Sequence, residues 1–178
     1  NRGPVDGQTA SGCLGNSLGL NSGSLSNWMA DGDVRSTSQA GSHGGFVAYL
    51  SYSETGLKFT NCTNNGNNVG NCTSITGGFV GVCFSDFLAS DSINNGSICA
   101  VCGGGFIVLV SLSKTTSKDK DLQMNHCQNY GTLNSCSSSE ITFVGGLIGE
   151  AKFARPHSTV IIENCEGAGN IKSLVDIS

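Results

Sequence analysis

Residues 59–72 read FTNCTNNGNNVGNC, from Phe59 to Cys72, and hold six asparagines and two cysteines but almost nothing that does acid–base chemistry. Taken alone the stretch fits a metal site, a disulfide loop, a glycosylated loop or a turn. Comparison of the chain with itself narrows the choice. The frame around Gly66 returns in "NWMADGDV" (Asn27 to Val34), "DSINNGSI" (Asp91 to Ile98), "HCQNYGTL" (His126 to Leu133) and "NCEGAGNI" (Asn164 to Ile171). Its anchoring glycines are Gly32, Gly66, Gly96, Gly131 and Gly169. Four places before them stand Trp28, Cys62, Ser92, Cys127 and Cys165, and an aliphatic residue follows each within three places.

A second motif alternates with the first: "GGFVAYL" from Gly44, "GGFVGVC" from Gly77, "GGFIVLV" from Gly104, "GGLIGEA" from Gly145, and a degenerate "SGCLGNS" from Ser11. Its second glycines are Gly12, Gly45, Gly78, Gly105 and Gly146, spaced by 33, 33, 27 and 41 residues. Two-part units at periods of 20–50 residues mark solenoids, propellers or arrays. Each unit here carries short β-branched and aromatic runs ended by Asn-Gly type turns, with no 3.6-residue stripe. A propeller blade needs about 40–45 residues and four strands. Units of about 33 fit one coil of an all-β, parallel β-solenoid, and the chain reads as a single repeat domain, 1–178, of about five coils. The repeats run approximately 11–43, 44–76, 77–103, 104–144 and 145–178. Stacking places Phe46, Phe79, Phe106 and Leu147 in one column and Leu14, Val47, Val80, Ile107 and Ile148 in the next. Strand neighbours point to opposite faces, so one column is expected inside and the other under a covering loop. Asn65-Gly66 is expected to supply the φ > 0 corner, and the charged insertion Ser113–Gln123 to project into water.

These residues resemble GLUG repeats, in which a Gly-Gly-aliphatic-aliphatic-Gly segment precedes an Asn-Cys-x-Asn-x-Gly-x-Val segment. "GGFVG", "GGLIG", "NCTNNGNNV" and "NCEGAGNI" carry the likeness, which spans nearly all of the chain after Gly12. It departs from the pattern after the cysteine, where Thr63, Gln128 and Glu166 replace an aromatic residue, and at Trp28 and Ser92, which replace the cysteine. The resemblance implies a β-helical spacer or binding surface of a large secreted or surface protein, of the adhesin-like and immunoglobulin-A-peptidase-associated kind, without the protease domain.

Composition sets further bounds. Gly, Ser, Asn and Thr supply about 45% of the chain, and charged residues only 12% against about 25% ordinarily. A net charge of −4 gives no basic face for nucleic acid. The apolar runs are too short for membrane insertion by a helix. The opening at Asn1, without Met or leader, reads as a processed polypeptide. Nine cysteines, with sequons at Asn61, Asn71 and Asn95 and weaker Asn-X-Cys forms at Asn125 and Asn134, point to an extracellular or cell-surface setting with possible glycans.

The disulfide candidates are Cys62, Cys72, Cys99, Cys102, Cys127 and Cys136. The readings are Cys62–Cys72 and Cys127–Cys136 within coils, a rung-to-rung pair such as Cys72–Cys102, or a buried ladder of small apolar side chains. "CAVC" (Cys99 to Cys102) lacks the second pair a zinc site needs, and no cofactor is expected. "DGD" (Asp31 to Asp33) is explained by a turn as well as by calcium. His126 and Cys127, adjacent on a strand, would face apart. The acids are scattered, so the paired carboxylates of a carbohydrate-active enzyme are not legible. No capping helix or charged cap is legible either. The expectation is a non-enzymatic structural solenoid, either continued in a longer chain or self-associating end to end into a fibre. The alternative is an adhesin-type module for carbohydrate or a host protein.

Overall fold

The structure is a computed structural model, and it describes residues 5–7, 10–11, 14–17, 23–36, 41–50, 56–69, 74–112, 121–135, 144–153 and 159–173. Among them there are strands and turns and no helix. The chain is an all-β parallel β-solenoid. Every pairing is parallel and joins a strand to the one five places along the chain, so each turn adds one strand to each of five sheets. Val34–Ser36, Ser42–Gly44, Val47–Leu50, Leu57–Thr60 and Thr63–Asn64 belong to faces one to five in that order. Register is kept through the stack. On face three, for example, Val80 lies between Val47 and Ile107, and Ile107 pairs with Ile148.

The main core lies within faces three, four and five. Phe46, Phe79 and Phe106 stack along the axis with ring centroids 4.8 and 4.5 Å apart, and the second pair is nearly parallel at 20°. Phe59 meets Phe79 edge-on at 5.5 Å and 83°. Both geometries suit the ring quadrupole. Leu57, Phe87, Leu122 and Met124 complete this core, and a smaller one of Ile98, Ala100, Leu133 and Val144 sits between faces one and two.

The alternation argument fails at this core. Phe46, Val47 and Ala48 are all buried, as are Phe79, Val80 and Val82. Phe46 is not a strand residue: it lies in a bend between faces two and three. The N–H groups of Phe46 and Val47 both donate to the Phe79 carbonyl, at 3.1 and 2.9 Å, and those of Phe79 and Val80 both donate to Phe106. Two successive N–H groups aimed at one acceptor cannot belong to an extended strand, so the side chains need not point apart. Both columns therefore face inward.

The chain bends at Gly66, as the Asn-Gly dipeptide suggests, but the left-handed residue is elsewhere. One non-glycine residue per aligned motif takes positive φ: Asn27, Asn61, Asp91, His126 and Asn164, at 50–59°. Asn, Asp and His are the types that tolerate this region. Gly66 keeps negative φ, since Gly56 is the positive-φ glycine among the described residues. Gly66 is needed for a different reason. A Cβ there would strike the Gly32 carbonyl, and the same holds for Gly96 on Gly66, Gly131 on Gly96 and Gly169 on Gly131. The anchor column is a stack of backbones in contact. The insertion expected to reach into water lies, over residues 113–120, outside the described residues.

Candidate functional site

Side chains that could do chemistry are gathered into columns along the axis. The first is buried. Asn64, Asn94 and Asn129 share one register position on face five. Asn64 Nδ2 donates to Asn94 Oδ1 at 2.7 Å, and Asn94 Nδ2 to Asn129 Oδ1 at 2.7 Å. Each amide also donates to the carbonyl two residues on, at Gly66, Gly96 or Gly131. The ladder lies against the Gly-Gly motif: a Cβ on Gly45, Gly78 or Gly105 would fall within 2.6 Å of the Asn64, Asn94 or Asn129 Cγ. The two halves of the repeat thus specify one another. The ladder stops where Ala30 and Gly167 take the position. Asn64 Oδ1 accordingly has no partner, because Ala30 offers no donor. Sequence reasoning missed this feature, although the position two before each anchor glycine reads Ala30, Asn64, Asn94, Asn129, Gly167.

Two further columns are exposed. Asn95 Nδ2 donates to Asn65 Oδ1 and Asn65 Nδ2 to Asp31 Oδ1, each at 2.8 Å. Asp33 accepts from the Asn67 N–H at 2.9 Å and from Arg35 at 3.3 Å. The Asn67 backbone donor, with Arg35 beside it, holds the Asp33 carboxyl below the ordinary range despite some burial. The two "DGD" carboxylates are thus engaged as rungs. Among the described residues no three His, Cys, Asp or Glu are placed to hold a metal ion. At the left-handed corners Asn61 Nδ2 donates to Asn27 Oδ1 at 2.7 Å, and His126 Nδ1 lies 3.9 Å from Asp91 Oδ1. The sequon residues Asn61 and Asn95 are exposed, and Asn71 lies outside the described residues.

The cysteine readings need correction. Cys62, Cys99, Cys102 and Cys127 carry free thiols, as does Cys165, while Cys72 and Cys136 lie outside the described residues. The thiols of Cys62, Cys127 and Cys165 each donate to the carbonyl two residues back, at Thr60, Asn125 and Glu163, across the left-handed corner. Ser92, where the motif departs from cysteine, does the same to Ser90 at 2.8 Å and accepts from the Cys62 N–H at 3.1 Å. The column clips corners from inside the core, and Cys62 and Cys127 are fully buried with free thiols, which is the reading of a buried ladder of small side chains and not that of bridges from these two residues. Cys62→Ser should therefore change unfolding free energy by less than about 1 kcal/mol in urea titration, since the hydroxyl of Ser92 makes the same corner bond at the aligned position. Cys99 and Cys102 sit half-buried on adjoining faces, one and two.

Burial sets the protonation of two titratable side chains. Burial pushes the Cys127 thiol from 9.0 up to about 12, so it is a thiol and not a nucleophile at neutral pH. Burial lowers the His43 pKa and keeps its imidazole neutral. His157 lies outside the described residues. The stability window follows. The raised Cys127 pKa favours the folded chain below pH 9.0, and that advantage is lost as pH rises toward about 12. The depressed His43 pKa favours the folded chain above 6.5, and the advantage is lost as pH falls toward the folded value. Thermal melting followed by circular dichroism should therefore show a midpoint falling at both ends, and Cys127→Ser should remove most of the alkaline fall.

Face four carries a concavity of about 200 Å³, lined by Lys58, Leu88, Ala89, Ser90, Gln123 and Asn125. No helix among the described residues is long and apolar enough to cross a membrane. Comparison with protein-family models, with curated proteins and with solved structures returned no match.

Proposed function

We propose that this chain is a non-enzymatic, extracellular structural β-solenoid, a subunit or segment of a cell-surface or fibrous assembly, and that it carries sugar at its exposed sequons. The observation behind this reading is where the reactive side chains spend their hydrogen bonds. Carboxylates, amides and hydroxyls bond along the axis to the equivalent position in the next turn, or back across their own corner. Among the described residues they do not converge on a point where a substrate atom could sit, as an acid, base and nucleophile must. Columns of this kind hold a rod together. The resemblance to GLUG repeats supports the location, and the exposed amides of Asn61 and Asn95 supply attachment points for glycan.

The test is labelling of intact source cells with an antibody to the solenoid, together with intact mass before and after deglycosylation. Surface labelling without permeabilisation and a fall in mass are expected; label reached only after permeabilisation overturns the reading. A second reading, an adhesin-type module for carbohydrate, draws on the face-four concavity, where Lys58, Ser90, Gln123 and Asn125 present polar groups beside Leu88. One tight ligand on a glycan array, lost with Gln123→Ala, favours it.

A further inference from the structure

Face four turns two columns of side chains outward over its three middle strands. One runs Lys58, Leu88, Gln123 and the other Thr60, Ser90, Asn125, while Phe59, Ala89 and Met124 between them point into the core. Side-chain length varies along each column. Lys58 and Gln123 are long and stand on either side of Leu88, and Ser90 is shorter than Asn125 on the next rung. The concavity follows from this. It lies on the middle rung, with Lys58 on one wall and Gln123 and Asn125 on the other. Like positions on neighbouring strands are about 4.8 Å apart, so the walls stand about 10 Å apart.

Each of the three strands lies between two others of its sheet, so its backbone groups are engaged in the ladder. Strand addition by a peptide is closed to this face, and a ligand there meets side chains. The slot offers one ammonium, two carboxamides, one hydroxyl and an apolar patch at Leu88. Lys58 is in neither ion pair formed among the described residues, which involve Arg35 with Asp33 and His126 with Asp91. Glu163 stands one rung beyond Asn125. Charge therefore changes sign across the slot, from Lys58 on one wall to Glu163 beyond the other.

A volume of about 200 Å³ is smaller than a pocket for a drug-sized ligand and suits a single ring. The amides and the hydroxyl provide donors and acceptors for several ligand hydroxyls, Leu88 provides a surface for ring C–H groups, and the ammonium calls for an anion. A neutral sugar leaves Lys58 unmatched. A bare carboxylate or phosphate leaves both amides and Leu88 unused.

We infer that the face-four slot binds an acidic sugar residue, with its carboxylate on Lys58, its hydroxyls on Gln123, Asn125 and Ser90, and its ring against Leu88. The inference rests on the adhesin-type reading above and names the ligand class. Charge fixes the orientation, since the carboxylate lies away from Glu163 and the hydroxyl donors toward it.

Titration calorimetry with the methyl glycosides of glucuronic acid and of glucose tests it, because the two differ by one carboxylate. The acid should bind with a dissociation constant of about 1 mM, and the neutral sugar at least about tenfold more weakly. Lys58→Met keeps the apolar stem and removes the charge. It should bring the acid down to the level of the neutral sugar, with an unchanged circular dichroism spectrum. Gln123→Ala should weaken both. Raising salt from about 50 to about 500 mM should weaken the acid alone. The methyl glycoside of N-acetylneuraminic acid bound in place of the glucuronide, with the same dependence on Lys58, also supports the inference and assigns the kind of acid. Equal affinity for acid and neutral sugar overturns it, as does a preference for acid that Lys58→Met leaves intact, or no binding of either acid up to about 10 mM. A neutral sugar bound tightly and lost with Gln123→Ala sinks the acidic class and keeps the adhesin reading; silence of every saccharide on a glycan array sinks both.

Discussion

Gly96→Ala should cost at least about 3 kcal/mol of unfolding free energy in a guanidinium titration, while Gly103→Ala, seven residues away, should be neutral or stabilising by about 0.4–1 kcal/mol. Gly96 is an anchor glycine and Gly103 precedes the glycine pair at Gly104, and neither takes positive φ. They differ in what a methyl group would meet. At Gly96 it strikes the Gly66 carbonyl oxygen and carbon and comes to 3.0 Å from Asn64 Nδ2. Two of these atoms are backbone held in register by a neighbouring turn, so relief requires prising two turns apart and breaking the parallel pairing on either side. At Gly103 the nearest atoms are side-chain methyl groups of Ile98 and Leu133, both at 3.6 Å, which is ordinary contact. There the added methyl fills space in the smaller core and removes entropy from the unfolded chain. Equal losses at the two sites would mean that anchor glycines serve something other than backbone stacking.

Asn94→Ala should destabilise by about 3–4 kcal/mol, more than the same change at the exposed Asn95, which should cost under about 0.5 kcal/mol. Asn94 is the middle rung of the buried ladder. Its removal leaves Asn129 Oδ1 and the Gly96 carbonyl without the donor they share, takes the acceptor from Asn64 Nδ2, and opens a void against Gly78. A buried acceptor without a donor costs about 1–3 kcal/mol on its own. Asn94→Asp adds a diagnostic sign. The carboxylate would face two acceptors inside the core, so its folded pKa rises and the variant should regain stability as pH falls toward the ordinary carboxylate value of about 4. A variant whose deficit against the parent grows in acid would show that the ladder does not run as described.

Much of the architecture was legible because the repeat is. Glycine pairs and anchor glycines returning in the same order left little but stacked turns, and the column Phe46, Phe79, Phe106 could be written down before any coordinates. The errors came where a local rule was carried across a corner. Alternation sent Phe46 and Val47 to opposite faces, but two N–H groups sharing the Phe79 carbonyl break the strand between them. The Asn-Gly dipeptide was taken for the left-handed corner, which belongs to Asn61, five residues before Gly66. Cysteine density suggested bridges, while the thiols of Cys62 and Cys127 are spent on carbonyls of their own corners.

Repetition at a near-constant period, with short β-prone runs between turn residues, was enough to set the all-β class, the coil and the order of like residues along the axis. Those properties depend on residues close together in the chain or repeated along it. Which asparagine is buried, why a glycine cannot be alanine and where a thiol points depend on contacts with the turn above or below, 30 to 39 residues away. Such neighbours exist only once the turns are stacked, so their chemistry is a property of the assembled coil.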